Sequence, residues 1–242
     1  MTTTERGGTA RHFHTELAEL KALLLEMSGE AEELVRISVE ALLEQNLEKA
    51  QATVDGDLRV DHLELEIDKA AHELLALQQP MAGDLRFITM TMKISNDLER
   101  VGDHAVNIAR AVQRLADLPP FGRAPEVAEM ARLASDMLSD ALDSFVRQDA
   151  EMARGIGARD DQVDHLYNSM FRILLTHMME DPRRIGPAMS TLLISKNLER
   201  IADLATNVAE DVVFLVEGKV IKHGSGRGGR PADRAAPRSV EP

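Results

Sequence analysis

Apolar residues recur at intervals of three and four along most of the chain, which is the spacing of one face of an α-helix. In the first half these apolar stripes cover residues 17–41, 60–77 and 87–115. Two sequence breakers separate the stripes, Asp55-Gly56 before the second and Gln79-Pro80 before the third. The proline-rich stretch 119–125 then stops the third stripe. The pattern therefore predicts three helices in the first half of the chain.

The second half repeats this pattern. It predicts helices over residues 126–150, about 160–179 and about 186–217. Residues 94–109 align with residues 194–209 at nine identical positions out of sixteen, which indicates an internal duplication with a spacing of one hundred residues. No stretch shows the alternation of a β-strand. We predict an all-α protein made of two tandem three-helix bundles related by the internal repeat.

The domain limits follow from the breaks in this pattern. We predict a flexible N-terminus over residues 1–12, a first three-helix repeat over 13–118 and a second over 125–218. From residue 219 the chain is rich in glycine, arginine and proline without periodicity, so we expect a disordered basic tail over 219–242.

Composition excludes several classes of chemistry and partner. The chain has 242 residues and no cysteine, so it forms neither disulfides nor thiolate metal sites. Its formal net charge of −13 makes nucleic acid and anionic lipid poor partners. No stretch approaches the ~20 apolar residues that span a bilayer, and the N-terminus carries no apolar run. We expect a cytoplasmic protein, and any membrane association must be peripheral.

Two acidic motifs stand out against this background, LERVGDHAVN at 98–107 and LERIADLATN at 198–207. Each carries a glutamate, an aspartate four residues later and an asparagine four residues after that. A second acidic pair with four-residue spacing opens the middle predicted helix of each repeat. The candidate metal ligands are Asp57, Asp61, Glu99 and Asp103 in the first repeat, and Asp160, Asp164, Glu199 and Asp203 in the second.

Antiparallel geometry predicts that these carboxylates face each other. Residues at equal distances from a helical hairpin turn lie at the same height, and the turns here fall at Pro80 and near 181–182. The predicted level pairs are Asp61 with Glu99, Asp57 with Asp103, Asp164 with Glu199 and Asp160 with Asp203. The two levels of each hairpin lie ~6 Å apart along the helix axis. Each acidic residue follows an apolar one, so the carboxylates flank the core and stay partly open to water.

A lone acidic pair on a helix is usually a solvated surface, but this arrangement favours a cation site. Like charges four residues apart repel, and level pairs add repulsion across the helices. Oxygen ligands suit magnesium, manganese, calcium and iron, and the spread of the carboxylates leaves room for more than one ion. The secondary candidates, as ligands or supporting residues, are Asn107, Asn207, Arg100 and Arg200. His104 has Leu204 in the equivalent position, so we expect it to be solvated or to support a ligand.

These motifs resemble the PhoU family of bacterial phosphate-transport accessory and regulatory proteins. The family's repeated ER-x-x-D-x-x-x-N signature matches residues 99–107 and again 199–207, and its Pro-x-x-x-Asp-Leu-Arg segment matches residues 80–86. The resemblance covers roughly residues 12–218. The chain departs from the family at Ala202 and Leu204, where glycine and histidine are common, and this weakens a histidine role in the second repeat.

The resemblance implies more than the residues alone do. It implies two similar three-helix bundles that bind multinuclear metal clusters through the paired acidic motifs. The implied cofactors are divalent or trivalent cations, namely iron, zinc, manganese or magnesium. It also implies negative regulation of the phosphate-starvation response, through contact with a membrane sensor histidine kinase and with the ATPase subunit of the phosphate ABC transporter. We further expect a homodimer.

Two other functions remain open from the residues. The acidic surfaces could belong to a metal-free scaffold that docks a basic partner. A di-metal carboxylate enzyme is the weaker alternative, because such sites use Glu-x-x-His pairs and none of the eight histidines has a glutamate three residues before it. We find no nucleophile–base arrangement and expect no catalytic residues, so we predict that the chain is not an enzyme.

Overall fold

The computed structural model describes residues 3–78, 80–118 and 125–221, with side chains described from residue 12 onward. Six α-helices and one short 3₁₀ turn occupy these ranges, and no β-strand occurs within them. The helices are α1 (Thr3–Glu44), α2 (Leu47–Gln78), α3 (Ala82–Ala116), α4 (Pro125–Arg147), α5 (Ala150–Glu180) and α6 (Ile185–Glu217), with the 3₁₀ turn at Pro182–Arg184. The predicted all-α class is confirmed.

The helices form two three-helix bundles that pack side by side. Helices α1, α2 and α3 contact one another, as do α4, α5 and α6, and the main contact between the bundles joins α3 to α6. The phenyl rings of Phe87 on α3 and Phe145 on α4 stack across the same boundary, with ring centroids 6.4 Å apart. The predicted pair of tandem three-helix bundles is therefore confirmed.

Helices α3 and α6 carry the most deeply buried apolar stripes, because each packs within its own bundle and against the other helix. Equivalent residues of the internal repeat are fully buried in both copies. They are Ile94 and Ile194, Leu98 and Leu198, Val101 and Ile201, and Ala105 and Ala205. Burial of aliphatic side chains at this spacing supplies the main stabilisation of the fold, and it fixes which face of each helix remains outside.

The predicted break at Asp55-Gly56 is wrong, because α2 begins at Leu47 and runs through it. The glycine serves packing rather than termination: a Cβ atom at Gly56 would lie 2.9 Å from the Cδ2 atom of Leu34 on α1. The two helices therefore approach closely at a position without a side chain.

The middle helix of the second repeat also begins earlier than predicted, at Ala150 rather than near residue 160. The start is fixed by the Asp149 carboxylate, which accepts hydrogen bonds from the backbone N–H groups of Glu151 and Met152, both at 3.0 Å. Asn46 caps α2 in the same way, accepting from Glu48 and Lys49 at 2.9 and 3.1 Å. The two caps are equivalent members of the internal repeat.

The predicted terminal segments, 1–12 and 219–242, lie only partly within the described residues. Helix α1 begins at Thr3, so the backbone of most of the segment 1–12 is helical. Helix α6 ends at Glu217, and Gly218 follows in the left-handed conformation with φ of 68°. The predicted disordered tail over 219–242 lies almost entirely outside the described residues, as does the predicted limit between the repeats at 119–125.

Within the described ranges, no helix is both long enough and apolar enough to cross a membrane.

Glycine substitutions test the helical packing. Gly155 is an exposed interior residue of α5, and a Cβ atom added there would meet no other atom within 4 Å. Gly155→Ala should raise the free energy of unfolding by about 0.5–1 kcal/mol, because alanine favours helix. Gly56→Ala should give a smaller gain or a loss, because Leu34 must move. Urea denaturation measures both, and equal stabilisation at the two positions would contradict the close approach of α1 and α2.

Candidate functional site

Eight carboxylates lie on the outer faces of the two helical hairpins, in two groups of four. The first carboxylate cluster comprises Asp57 and Asp61 on α2 with Glu99 and Asp103 on α3. The second comprises Asp160 and Asp164 on α5 with Glu199 and Asp203 on α6. The prediction that the α2 and α5 pairs open their helices is wrong. Both pairs lie about three turns inside, because the Asn46 and Asp149 caps start the helices earlier.

The first cluster brings its four carboxyl groups within electrostatic range of one another. Burial raises the pKa of Asp57 to about 6, and the nearby charges of Asp61 and Asp103 contribute to that rise. Burial also raises the pKa of Glu99, with repulsion from Asp103 and Asp61 among the causes. The interacting carboxyl groups thus include both predicted level pairs of this hairpin.

The second cluster shows the same electrostatics. Burial raises the pKa of Asp160 to about 6, and the largest charge effect comes from Asp203, its predicted level partner. Asp164 and Glu199 contribute further repulsion to Asp160. The pKa of Asp203 is raised by burial and by Glu199, while Arg200 lowers it in part. In both hairpins, partly buried carboxylates therefore disfavour each other's charge.

Two carboxylate oxygens in the clusters are buried without any hydrogen-bond partner, Oδ1 of Asp57 and Oε2 of Glu199. Nε of Arg200 lies 3.6 Å from Oε2 of Glu199, so this oxygen has an ion-pair contact without a hydrogen bond. A buried acceptor without a hydrogen bond costs about 1–3 kcal/mol, so each oxygen is a position at which a bound cation would be stabilised. Close packing holds the first of them in place: a Cβ atom at Gly102 would lie 2.8 Å from Oδ1 of Asp57. The equivalent residue of the second repeat is the buried Ala202, so the two clusters are not identical in shape.

Basic side chains form ion pairs with the second carboxylate cluster but not, among the described residues, with the first. In the second cluster, Nη1 of Arg200 donates to Oδ2 of Asp203 at 2.8 Å, and Nζ of Lys196 donates to Oε1 of Glu199 at 2.7 Å. In the described part of the chain, no ion pair joins a basic side chain to the first cluster. Arg100 turns instead toward Asp97 at 3.4 Å, and Arg59 pairs with Glu26. The charge of Arg110 acts on Asp57 and partly offsets the rise of its pKa, but without an ion pair. The first cluster is therefore less neutralised by basic side chains than the second.

The other candidates lie at the edges of the clusters. Asn107 is exposed and Asn207 is half-buried, each one turn beyond the aspartate of its motif. Nδ1 of His104 lies 2.9 Å from Oδ1 of Asn197 on α6, so this histidine joins the two bundles and neither ligates nor supports a ligand in the first cluster.

Sequence reasoning missed Glu64 and Asp161, whose charges act on Glu99 and Asp160. The signal for Glu64 was its position three residues after Asp61, on the same helix face.

The donor chemistry of the clusters fits a hard or borderline cation, since all eight ligand candidates are carboxylates. Among the described residues, however, no three histidine, aspartate or glutamate side chains are close enough to form a finished metal cage. A cation would draw the side chains of each hairpin together and use the two unpartnered oxygens.

These features define a class of protein. Its fold is a duplicated three-helix bundle, and each α2–α3 or α5–α6 hairpin carries a cluster of four carboxylates. The family model described as "PhoU domain" matches residues 24–112 and again 127–212, once in each bundle. The chain belongs to the PhoU family.

Relatives of known name cover nearly the whole fold. A phosphate-specific transport system accessory protein PhoU homologue of Zymomonas mobilis is 41% identical over 215 residues, covering 89% of this chain and 91% of that protein. An Aquifex aeolicus homologue of the same name is 40% identical over 208 residues, covering 86% and 94%. The crystal structure of PhoU from Pseudomonas aeruginosa superimposes with a TM-score of 0.82 at 37% identity, covering 86% of this chain and all of that one. The Streptococcus pneumoniae phosphate transport system regulatory protein PhoU gives 0.78 at 31% identity, covering 86% and 98%.

The raised pKa values predict how pH affects the metal-free protein. Asp57 and Asp160 hold their protons more tightly in the native chain, with pKa about 6 against 3.8. Stability from these groups is therefore greatest below the unfolded value and falls as the pH rises through about 6. Replacing both with asparagine should stabilise the chelator-treated protein by about 1–2 kcal/mol in total near pH 7.5, since solvent screening reduces the full effect of the shifts.

Near pH 4 the gain from the asparagine variants should largely vanish, because the parent carboxyl groups are then protonated. Urea denaturation at the two pH values, with chelator present, measures the difference. A gain of the same size at both pH values would contradict the assignment of the repulsion to these carboxyl groups.

Proposed function

We propose that this chain is a cytoplasmic, metal-binding regulator of phosphate transport and phosphate-starvation signalling. The chain is an accessory protein of a phosphate transport system by family, as its named relatives indicate. The observation that supports metal binding is the duplicated set of partly buried, mutually repelling carboxylates, with an unpartnered oxygen in each. Such an arrangement destabilises the free protein, so its presence in both repeats is best explained by a bound cation.

The carboxylates of each hairpin would hold the cation between its two helices. Asp57 and Asp61 would supply oxygens from α2, and Glu99 and Asp103 from α3; the second cluster would use Asp160, Asp164, Glu199 and Asp203. The cation would supply positive charge that neutralises the cluster. Iron, zinc, manganese and magnesium are the candidate ions. The chain's own residues would perform no catalysis, because the one histidine of the acidic motifs, His104, is bonded outside the cluster.

Regulation would act through protein contacts rather than chemistry. The proposed partners are the sensor histidine kinase of the phosphate response and the ATPase subunit of the phosphate ABC transporter, with the chain acting as a negative regulator. Metal binding would set the shape and the charge of the hairpin surfaces that these partners meet. The chain would reach the membrane only through those partners.

A metal-free acidic scaffold is the second candidate function. Two observations favour it: the absence of a finished metal cage among the described residues, and the ability of Arg200 and Lys196 to neutralise part of the second cluster. On this account the carboxylates would dock basic side chains of a partner. The di-metal enzyme is disfavoured, because His104 is hydrogen-bonded to Asn197 and lies outside the cluster.

The double variant Glu99→Gln with Asp103→Asn tests metal binding. It preserves side-chain shape but removes two charges, so it should abolish cation binding in the first cluster and spare the second. It should also raise the melting temperature of the metal-free protein, because the repulsion is relieved. Isothermal titration calorimetry with Mn²⁺, Fe²⁺, Zn²⁺ and Mg²⁺, together with melting curves in chelator, gives both results.

The mirror variant, Glu199→Gln with Asp203→Asn, should lose only the second site. A control variant with the exposed residues Glu32 and Glu73 replaced by glutamine should bind metal as the parent does, since neither residue belongs to a cluster. If no cation binds the parent at micromolar to millimolar concentration, the acidic scaffold is the correct account and the metal assignment is wrong.

The regulatory proposal predicts a clear phenotype. Deleting the protein should leave phosphate-starvation genes expressed when phosphate is plentiful, because the negative regulator is missing. A reporter fused to a starvation-induced promoter measures this in the parent, the deletion strain and a complemented strain. Normal repression in the deletion strain would contradict the proposal, provided that the genome carries no second member of the family.

A further inference from the structure

An exposed apolar patch extends from the second carboxylate cluster to the tip of the α5–α6 hairpin. Three of its residues lie on α5 at four-residue spacing and three lie on α6 at the same spacing. Their exposed fractions run from 44% to 81%. The apolar patch consists of Phe171, Leu175 and Met179 on α5, and Ile185, Met189 and Leu193 on α6.

The six side chains form three level pairs across the hairpin. Met179 with Ile185, Leu175 with Met189, and Phe171 with Leu193 are each equidistant from residue 182. Two neighbouring contacts across the hairpin are close to this register. Nζ of Lys196 lies 4.9 Å from the ring centroid of Tyr167, and Nη1 of Arg184 lies 3.1 Å from Nδ1 of His177. The patch therefore consists of two rows of exposed apolar side chains, one on each helix of the hairpin.

The patch and the second carboxylate cluster share one face of the hairpin. Tyr167 is one turn from Phe171 on one side and one turn from Asp164 on the other. Lys196 likewise lies between Leu193 and Glu199, to which it donates a hydrogen bond at 2.7 Å. Any partner that covers the patch therefore comes within reach of the cluster.

Among the described residues, the first hairpin carries exposed apolar residues at its tip, Leu77, Met81 and Leu85, and does not extend them along both helices toward its carboxylate cluster. The equivalent positions on α2 lie 103 residues earlier, as Asp160 does from Asp57, and those on α3 lie 100 residues earlier. Four of the six equivalents are polar: the set is Asp68, His72, Ala76, Leu85, Thr89 and Lys93. Exposed apolar residues in contiguous groups mark interaction sites on a protein surface, so the difference between the repeats points to a partner of the second repeat.

The size of the patch favours a single helix as that partner. Its rows span eight residues, or ~12 Å of helix axis, which is about two turns. A stable dimer interface needs ~800 Å² from each partner, about 20–30 residues, and six side chains fall well short of that. Two rows of apolar side chains on antiparallel helices, with one side chain at every turn, fit the apolar face of one amphipathic helix.

Charge then sets the direction in which that helix lies. At one end of the patch stand the four carboxylates of the second cluster, only partly offset by Lys196 and Arg200. At the other end Arg183 and Arg184 are exposed at the hairpin tip. A helix with basic residues beyond one end of its apolar face complements the cluster when that end lies over it, and its positive charge then stays away from the two arginines.

We propose that the apolar patch docks an amphipathic helix of a partner protein, with the basic end of that helix over the second carboxylate cluster. The partner helix carries apolar side chains at three- and four-residue spacing over two to three turns. This inference rests on the proposed function, because the partners to be tested are the sensor kinase and the transporter ATPase subunit. It places their contact on one hairpin tip of the second repeat.

Binding of the purified ATPase subunit and of the kinase's cytoplasmic part to the full chain tests the proposal. The variant Leu175→Glu with Met189→Glu places charge in the middle of the patch and should weaken binding of at least one partner by about tenfold or more. The milder variant Met179→Glu changes the most exposed residue of the patch and should weaken it less. The control, Leu58→Glu with Leu65→Glu, alters equally apolar but unrelated exposed residues of α2 and should bind as the parent does.

Photo-crosslinking identifies the segment that is bound. The chain has no cysteine, so Leu175→Cys carries a single benzophenone label in the patch, and Leu58→Cys carries the control label. Mass spectrometry should find Leu175→Cys joined to an amphipathic helix of the partner with lysine or arginine at one end. Melting curves establish that each variant is folded.

The outcomes separate the two proposals. If the parent binds neither partner, the proposed function and this inference both fail. If the parent binds but the patch variants bind equally well, or if the crosslink falls on a loop or strand, the patch is not the docking site while the proposed function stands. If sedimentation shows a parent dimer that Leu175→Glu disrupts, the occupant is a second copy of this chain and the proposal is wrong. Binding of the parent to phosphatidylglycerol vesicles that the patch variant loses would assign the patch to membranes and also overturn it.

Discussion

Repulsion among partly buried carboxylates is the constraint on which the functional surfaces of this protein depend. The apolar stripes of α3 and α6 hold the two bundles together and leave the outer faces of the hairpins free. On those faces, four carboxylates from two helices are fixed at matching heights, where burial and neighbouring charge raise the pKa of Asp57 and Asp160 to about 6. The fold tolerates this cost because the core is large, and a cation would relieve it.

The internal duplication explains why the two bundles are alike. They differ in the surroundings of their carboxylate clusters and in the exposed surface of their hairpins. The first cluster lies beside Gly102 and has no ion pair to a basic residue in the described structure. The second has Ala202 in the equivalent place and is partly neutralised by Lys196 and Arg200. The second hairpin also carries the apolar patch, whose equivalent positions in the first hairpin are mainly polar. The first repeat therefore presents a carboxylate cluster without an ion pair among the described residues, and the second presents a combined charged and apolar surface.

Much of this architecture could be predicted from sequence, because periodicity and the internal repeat report directly on buried faces. The level pairing of Asp57 with Asp103 needed only helix geometry and the position of Pro80. The starts of α2 and α5 were missed because the caps Asn46 and Asp149 each follow a glutamine with positive φ, and no proline or glycine marks the place. Gly56 was wrongly predicted to be a helix break. Its role is a tertiary contact with Leu34 on α1, which the sequence pattern alone does not show.

The partners of individual polar side chains were the least predictable part. His104 and Arg100 stand within the acidic motif, yet they bond to Asn197 and Asp97 outside the cluster. The apolar patch could not be predicted from the sequence either. Phe171 and Leu193 follow the spacing of core residues, and only their exposure distinguishes them from the core.

Elemental analysis of protein purified without added metal or chelator tests the central claim most directly. The comparison is between the parent and a variant with Glu99, Asp103, Glu199 and Asp203 all replaced by their amides. The account predicts about stoichiometric metal in the parent and none in the variant. A parent free of metal, or a variant that retains the same amount, would contradict it.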